Sequence, residues 1–310
     1  MSRSDVGFDC HGGRANRGRN HERVSLPAAM TASASPDRAV ARVPHGPKIV
    51  IRQRRGYVLP DFRELWHYRE LVYFLAWRDI KVRYAQTALG VLWTLIQPVA
   101  LMIVFTYAFS RLGNVRTEGV PYPLFALAGL TFWIPFARAV TQGSDSLVEN
   151  APLLTKIYCP RMLIPISTIV SALVDLALSL VLFIVLASLY DYYPTWRLAL
   201  LLPVVVLGFI LAAGVAFLFS AINVRFRDVR QGLPFLVMVW LFLSPVAYPI
   251  YNPIASLNPL VGIIDAFRWC LLATSVSALS LVLALAITLM LLIVGTAYFS
   301  RAERTFADVA

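Results

Sequence analysis

The chain has 310 residues, of which 58% are hydrophobic, and its 28 Lys+Arg against 17 Asp+Glu give a net charge of +11. Long apolar runs of the length that spans a bilayer recur along it, so the composition excludes a water-soluble domain and predicts an all-α integral membrane protein. Nucleic-acid binding is another explanation of the positive charge, but no aromatic-basic motif supports it.

Residues 1–57 form a basic head, which we predict to be disordered and cytoplasmic. Residues 1–47 are rich in Arg, Gly, Ser, Ala and Pro and show no periodicity. No apolar segment follows the first basic residues, so the head does not resemble a signal peptide. Met30 is an alternative candidate for the native start.

Residues 61–84 are predicted to form an amphipathic interfacial helix. Asp61 and Glu64 have the spacing of a capping box, and apolar residues recur at helical intervals between basic ones. A stripe that contains Trp66 and is flanked by arginines is typical of a helix lying on the membrane surface. An ordinary solvated helix is the alternative.

Six transmembrane helices are expected within the domain 58–310, at about 89–109, 122–142, 162–189, 198–222, 232–249 and 279–300. Ten basic residues lie near one set of helix ends: Arg78, Lys81, Arg83, Lys156, Arg161, Arg225, Arg227, Arg230, Arg301 and Arg304. The other side has four: Arg111, Arg116, Arg197 and Arg268. The positive-inside rule therefore predicts that both termini are cytoplasmic.

Two inner connectors carry charge. Residues 223–230 read N-V-R-F-R-D-V-R between two uncharged apolar blocks, and hydrocarbon will not hold these charges. The connector 144–161 mixes Asp145, Glu149 and Lys156 with leucines. Both are expected to meet a protein partner.

The usual motifs of enzymes are missing. The three lysines follow Pro, Ile and Thr, so no P-loop Gly-Lys-Ser/Thr occurs, and D-x-D, H-E-x-x-H and G-x-S-x-G are absent as well. We therefore expect no catalytic residue, metal or bound cofactor in this chain. Energy would come from a separate subunit.

Asp175 is the ionisable residue deepest within a predicted span. An acid inside the membrane is a functional candidate, for instance in a proton-coupled carrier, although an interhelical packing role is the better supported alternative. Arg138, near the inner end of the second span, is expected to snorkel to the headgroups.

Aromatic side chains are concentrated in the spans. They can stack on sugar rings, although interfacial belts and packing explain many aromatics in membrane proteins. The candidates for a substrate path are Trp93, Phe105, Phe132, Trp133, Phe136, Tyr248 and Tyr251. Residues 251–277, interrupted by Asn, Pro, Asp and Arg, predict short re-entrant or gate helices on the outer face, with a plain loop as the alternative.

Five segments resemble the permease subunits of ABC-type polysaccharide exporters, the family that exports O-antigen, capsule and teichoic-acid chains. They are R-D-I-K-V-R-Y-A-Q-T-A-L-G-V-L-W-T-L-I-Q-P (78–98), E-N-A-P-L-L-T-K-I-Y-C-P-R (149–161), N-V-R-F-R-D-V (223–229), L-S-P-V-A-Y-P-I (243–250) and L-N-P-L-V-G-I-I-D-A-F-R-W (257–269). The head before residue 58 has no counterpart in that family, and the connection 251–257 is shorter than usual.

The resemblance implies a homodimeric permease in the bacterial cytoplasmic (inner) membrane, with two copies of an ABC ATPase subunit that binds ATP and Mg. Its cargo would be lipid-linked polysaccharide. The ATPase-coupling residues would be Glu149, Asn150, Leu153, Lys156, Arg161, Arg225, Arg227, Asp228 and Arg230. Three alternatives remain: export of a drug or small lipid, an ATP-independent secondary carrier using Asp175, and a membrane-bound lipid-sugar enzyme.

Overall fold

A computed structural model describes residues 66–85, 90–112, 117, 119–151, 160–193, 195–226, 228–250 and 252–306, and these residues form helices and turns without a strand. The α-helices are α1 (Arg69–Ala85), α2 (Leu92–Phe105, continued by a π-helix Thr106–Leu112), α3 (Tyr122–Glu149), α4 (Leu163–Ser188), α5 (Leu201–Arg225), α6 (Val229–Phe242), α7 (Pro259–Leu272) and α8 (Ala278–Phe306). Two 3₁₀ turns, Trp196–Leu200 and Pro253–Leu257, precede α5 and α7. The all-α prediction is confirmed for this part of the chain, whereas the predictions for the head 1–57, Asp61 and Glu64 lie outside it.

Five of the described helical segments are long and apolar enough to cross a membrane: Leu92–Ser110, Tyr122–Glu149, Leu163–Ser188, Trp196–Arg225 and Ala278–Glu303. They correspond to five of the six predicted spans. The remaining one, predicted at 232–249, differs, because α6 has 14 residues and ends at Phe242. At about 21 Å, α6 is shorter than a hydrocarbon core of about 30 Å. Turns follow it, and Pro245 among them lacks the N–H that a continuing helix would use. A sixth crossing stays a prediction.

Helix α3 is the centre of the fold. It packs against α2, α4, α5 and α7, and most of its apolar part is buried within the chain, whereas most of the segment Leu92–Ser110 is not. Because α3 is apolar around most of its circumference, it can be buried on several sides. Helix α2 instead lies at the edge, open to lipid or to another chain.

Helices α5 and α8 approach closely at two glycines. A Cβ atom added to Gly295 would lie 2.2 Å from the carbonyl oxygen of Gly214, and one added to Gly214 would lie 2.7 Å from the backbone nitrogen of Leu292. Small residues that let two backbones meet are typical of helix pairs in membranes. A larger side chain at either glycine would force these helices apart.

Arg268 fixes the turn that follows α6 to the rest of the fold. Its side chain is 1% exposed, its Nε donates to the Phe125 carbonyl at 3.2 Å, and its NH2 donates to the Val246 carbonyl at 2.7 Å. The guanidinium also lies 3.7 Å from the centroid of the Phe125 ring. Buried charge is tolerated when it is hydrogen-bonded in this way. Residues 251–277 thus include the 3₁₀ turn and the buried helix α7, while their function as a gate stays a prediction.

Helix α1 packs on α4 along one face. Ala76 is buried there and Val72 and Ile80 are partly covered, whereas Trp66 and Tyr73 are exposed. The predicted apolar stripe is therefore divided, with aromatic residues left facing outward. Such a face suits the lipid interface, and the position of α1 on the membrane surface stays a prediction.

Candidate functional site

The end of α3 and the beginning of α6 meet in a direct ion pair. The NH2 of Arg230 donates to Oε1 of Glu149 at 2.6 Å, and its Nε lies 3.9 Å from Oδ2 of Asp145. The side chains of Arg230 and Glu149 are 50% and 52% exposed. The structure therefore brings together the two charged connectors that the sequence presents far apart.

Buried amide contacts support this pair. Nδ2 of Asn223, a residue that is 2% exposed, donates to Oδ1 of Asp145 at 2.8 Å and to the Ser144 carbonyl at 3.2 Å. Oδ1 of Asn150 accepts from the Arg78 NH2 at 2.8 Å, which ties α1 to the end of α3. Four helices thus contribute to one surface, which we call the charged face: Arg78, Asp145, Glu149, Asn150, Asn223, Asp228 and Arg230.

Of the other predicted coupling residues, Arg161 and Arg225 belong to the described part of the chain. The backbone N–H of Arg161 donates to Oε1 of Glu303 at 3.3 Å, which links the start of α4 to the last turns of α8. Arg225 is exposed, with its guanidinium 5.3 Å from the Phe226 ring centroid. Leu153, Lys156 and Arg227 are outside the described part of the chain.

A second group of charges lies inside the fold around Asp175, which is 1% exposed. Its Oδ2 accepts from NH1 of Arg83 at 2.5 Å and from NH1 of Arg138 at 2.9 Å, and its Oδ1 accepts from the Tyr84 hydroxyl. Oε1 of Gln142 accepts from the second terminal nitrogen of Arg83 at 2.6 Å. We call these five residues, drawn from α1, α3 and α4, the Asp175 cluster.

The Asp175 cluster gives two predictions their physical context. The guanidinium of Arg138 pairs with a carboxylate on the neighbouring helix, and its position relative to the lipid headgroups stays a prediction. A buried acid between two guanidiniums is compensated rather than isolated, so it can join helices at a depth where an unpaired charge would be costly. Burial, together with the hydrogen bond to Asp175, also raises the pKa of Tyr84 above its ordinary value.

Two grooves adjoin the Asp175 cluster and share Gln97, Leu101 and Arg138. The first, of about 580 Å³, is lined by Arg83, Tyr84, Gly90, Trp93, Thr94, Ile96, Gln97, Ala100, Leu101 and Arg138. The second, of about 380 Å³, extends over Trp133 and Ile134 of α3 and Pro234, Val237 and Leu241 of α6. Arg138 therefore lies where the two grooves meet.

The predicted aromatic path is only partly accessible. Trp93 is 59% exposed and lines the first groove, and Trp133 lines the second. Phe132 and Phe136 are fully buried and stack on each other with ring centroids 5.8 Å apart. In this conformation these two rings pack the core and do not face a groove.

The remaining aromatic candidates are spread along the fold. Phe105 is buried, Tyr248 is partly buried with its ring 5.8 Å from that of Phe109, and Tyr251 lies outside the described residues. No group of three or more His, Cys, Asp or Glu suited to a metal ion occurs among the described residues. The structure thus brings the two charged connectors together and assembles the Asp175 cluster. It does not bring all the aromatic candidates to one place.

Comparison with known proteins connects this arrangement to membrane transport. The profile of the family described as "ABC-2 type transporter" matches residues 70–272, a range that includes the charged face and the Asp175 cluster. "O-antigen export system permease protein RfbA" of Myxococcus xanthus is 33% identical over 215 residues, which are 66% of this chain and 82% of that protein.

More distant relatives cover still more of the chain. A protein of the same name from Klebsiella pneumoniae is 26% identical over 77% of this chain and 95% of its own length. "Polysialic acid transport protein KpsM" of Escherichia coli is 23% identical over 73% of this chain and 91% of its own length. These relatives are named for the export or transport of polysaccharides.

Proposed function

Because this chain belongs to the ABC-2 type transporter family, we propose that it is the permease subunit of an ATP-driven exporter of lipid-linked polysaccharide. The observation that carries the proposal is the 33% identity to an O-antigen export permease, which extends over 82% of that protein. The relative named for polysialic acid transport supports polysaccharide as the substrate class. We place the chain in the bacterial inner membrane with both termini in the cytoplasm, following the distribution of its basic residues.

The charged face is the surface on which we place the ATPase subunit, in two copies per transporter. Its ion pair Arg230–Glu149 is half exposed, and exposed pairs of this kind contribute only about 0–1 kcal/mol to folding. Such side chains can exchange an internal partner for an external one at low cost. The sequence has no P-loop, so we assign ATP and Mg to the partner.

We further propose that two copies of the chain form the export path between them. Helix α6 exposes Phe235, Leu236 and Met238, and the segment Leu92–Ser110 is mostly unburied. Both helices line the grooves that meet at Arg138. A second copy would therefore cover the apolar surface of α2 and α6 and enclose the grooves, with Trp93 and Trp133 as contacts for sugar rings.

Helix α3 offers a mechanical link between the two regions. Its end carries Glu149 in the charged face, and Arg138 lies eleven residues earlier on the same uninterrupted helix. At 1.5 Å per residue this separation is roughly 16 Å. In the proposed mechanism, ATP-driven closure of the partner displaces the end of α3 together with the α5–α6 connector, and α3 transmits the displacement to the grooves.

The secondary-carrier alternative is less well supported by the structure. A carrier acid must exchange its proton during transport, but Asp175 accepts from Arg83, Arg138 and Tyr84. Neutralising Asp175 would leave two guanidiniums without their counter-charge at a protected site. The structural role in joining α1, α3 and α4 is favoured instead.

A deletion strain tests the proposal. Removing the gene for this chain, or replacing the P-loop lysine of the co-expressed ATPase, is expected to abolish surface polysaccharide and to leave the polymer inside the cell. The measurement is immunoblotting of surface and internal polysaccharide, with the wild-type gene restored as the control. Surface polysaccharide at normal levels without the chain contradicts the proposal. Export that survives the ATPase mutation but fails in Asp175→Asn supports the carrier instead.

A further inference from the structure

We propose that Glu303, in the last turns of α8, is a positioning residue that couples the connector between α3 and α4 to the helix pair α5–α8. The backbone N–H of Arg161, at the end of that connector, donates to Oε1 of Glu303 at 3.3 Å. The inference rests on the proposed function, because it adds a second route by which a displacement produced by the ATPase reaches the membrane helices.

The connector has two ends, which different helices hold. At its first end, Asn150 accepts from Arg78 of α1, and the ion pair of the charged face attaches the same end to α6. At its other end, Arg161 donates to Glu303 of α8. A carboxylate is a favourable acceptor there, because the beginning of α4 carries the positive end of the helix dipole. Since the connector is joined covalently to the fold only through α3 and α4, a displacement of the connector is delivered at these two ends.

Glu303 belongs to one face of α8 that contacts the rest of the fold at three successive turns. Gly295, Phe299 and Glu303 are four residues apart, and residues at this spacing are neighbours on one side of a helix. Gly295 meets the backbone of Gly214 on α5, and the buried ring of Phe299 lies 5.8 Å from that of Phe217 on α5, measured between centroids. Glu303 extends this face by one more turn to the beginning of α4. A displacement of the beginning of α4 would therefore reach α8 and α5 together.

A buried apolar cluster lies between the ends of these helices, and the bond to Glu303 is at its edge. Arg161 and Glu303 are only partly buried. Close-packed side chains pass a displacement on rather than absorbing it. We infer that the cluster holds the helices together, while the bond fixes where the connector ends on α8, so losing the bond should leave the fold intact. The cluster draws on α3, α4, α5 and α8 and consists of Leu147, Met162, Ile164, Phe217, Ala221 and Phe299.

The amount of polymer moved per ATP hydrolysed tests the proposal. The complex of the chain and its ATPase is reconstituted in proteoliposomes, and polymer protected from an added glycanase is measured together with phosphate released from ATP. We expect Glu303→Ala to lower the polymer moved per ATP about fivefold or more, the lower end of a typical coupling between two sites, while ATP hydrolysis stays near the wild-type rate. An unchanged ratio of polymer to ATP in Glu303→Ala would overturn the proposal.

Glu303→Gln tests whether the bond to the Arg161 N–H carries the coupling. Its amide oxygen can still accept this N–H, so it should keep more of the coupling than Glu303→Ala does. Equal losses in the two variants would overturn the role of this bond. Glu70→Ala removes an exposed glutamate from α1 and is the matched control, which should keep the wild-type ratio. A loss in Glu70→Ala as large as that in Glu303→Ala would likewise overturn the proposal.

A purely structural role of Glu303 predicts a different result. If its loss only destabilised the fold, polymer movement and ATP hydrolysis would fall together with the amount of assembled complex, and their ratio would stay constant. We also expect the ATPase to co-purify normally with folded Glu303→Ala, because the charged face is intact. Lost co-purification would assign Glu303 to docking instead of coupling.

Glu303→Asp keeps the experiment decisive if thermal unfolding in detergent shows that Glu303→Ala has lost the fold. Aspartate retains the charge but shortens the side chain by one methylene group, which withdraws the carboxylate from Arg161. We expect it to lower the polymer moved per ATP as well. A wild-type ratio in Glu303→Asp would then overturn the proposal.

This test can fail independently of the proposed function. If the wild-type complex moves polymer only with ATP and the ratio does not respond to Glu303, only the positioning role is wrong. If the wild-type complex moves no polymer with ATP, the proposed function is wrong whatever the variants do.

Discussion

The charged face and the Asp175 cluster are built from the same kinds of side chain but differ in burial. Arg230 and Glu149 are about half exposed, whereas Asp175 is 1% exposed. Exposed pairs contribute about 0–1 kcal/mol, while removing one partner of a buried pair costs about 3–5 kcal/mol. We therefore expect the fold to depend on the Asp175 cluster, whereas the exposed pair of the charged face can change partners, as the proposed docking of an ATPase requires.

The largest expected effect on stability is that of Asp175→Ala. It leaves Arg83 and Arg138 without their counter-charge, so the free energy of unfolding should fall by about 3–5 kcal/mol. Thermal unfolding of the purified protein in detergent measures this loss. Asp228→Ala, which removes an exposed carboxylate, is the control. Similar thermal unfolding midpoints for Asp175→Ala and Asp228→Ala would show that the Asp175 cluster contributes no more to stability than the charged face does.

Asn223→Ala separates the effect of burial from that of position, because Asn223 belongs to the charged face but is buried. Its amide donates to Asp145 and to the Ser144 carbonyl, and losing these bonds should cost about 1–3 kcal/mol. The same thermal measurement applies, with Val224→Ala, at an exposed neighbouring position, as the control. A cost as small as that of the control would show that position on the face, rather than burial, decides stability.

Arg230→Glu should change stability by less than about 1 kcal/mol, because its pair with Glu149 is exposed. We nevertheless expect it to abolish export and to weaken co-purification of the ATPase. The double variant Glu149→Arg with Arg230→Glu restores the internal pair but reverses the charges presented to a partner. Export that recovers in the double variant would assign Arg230 a purely internal role.

The smallest effect concerns pH and Tyr84. Burial and the hydrogen bond to Asp175 raise the pKa of Tyr84 above 10.0, so the neutral phenol is favoured in the folded protein. Its contribution is fully present below about pH 10 and is lost as the pH rises through the raised pKa. Wild type should therefore lose thermal stability faster than Tyr84→Phe above pH 10. An equal loss of thermal stability with pH in wild type and Tyr84→Phe would contradict the assignment of this effect to Tyr84.

Hydropathy predicted most of the helices but not all of their ends. The span predicted at 122–142 belongs to a helix that continues to Glu149. No Pro follows Thr141 in this helix, and the single Gly143 is tolerated within it. The span predicted at 232–249 ends as a helix at Phe242, where Asn258 accepts from Trp240 and donates to the Leu243 carbonyl. Pro245 keeps the helix from continuing, and this contact from a distant segment, which a local pattern does not contain, holds the turn in place.

The charged face and the Asp175 cluster also differ in how far the sequence predicted them. The charged connectors were predictable because a short polar segment between apolar blocks has to leave the hydrocarbon. The partners of Asp175 were not, since Arg83 and Arg138 lie far away in the sequence on other helices. Periodicity shows which residues share one helix face, but it does not show which faces of three helices meet.

Reconstitution in a defined bilayer shows whether this chain moves polymer only with ATP and its ATPase. The purified chain and its ATPase, placed together in proteoliposomes with lipid-linked polysaccharide, should move polymer across the bilayer only when ATP is supplied, as measured by protection from an added glycanase. Omitting either protein, or replacing Arg230 by Glu, should abolish the protection. ATP-independent movement of polymer by the chain alone would contradict the account of a permease driven through its charged face.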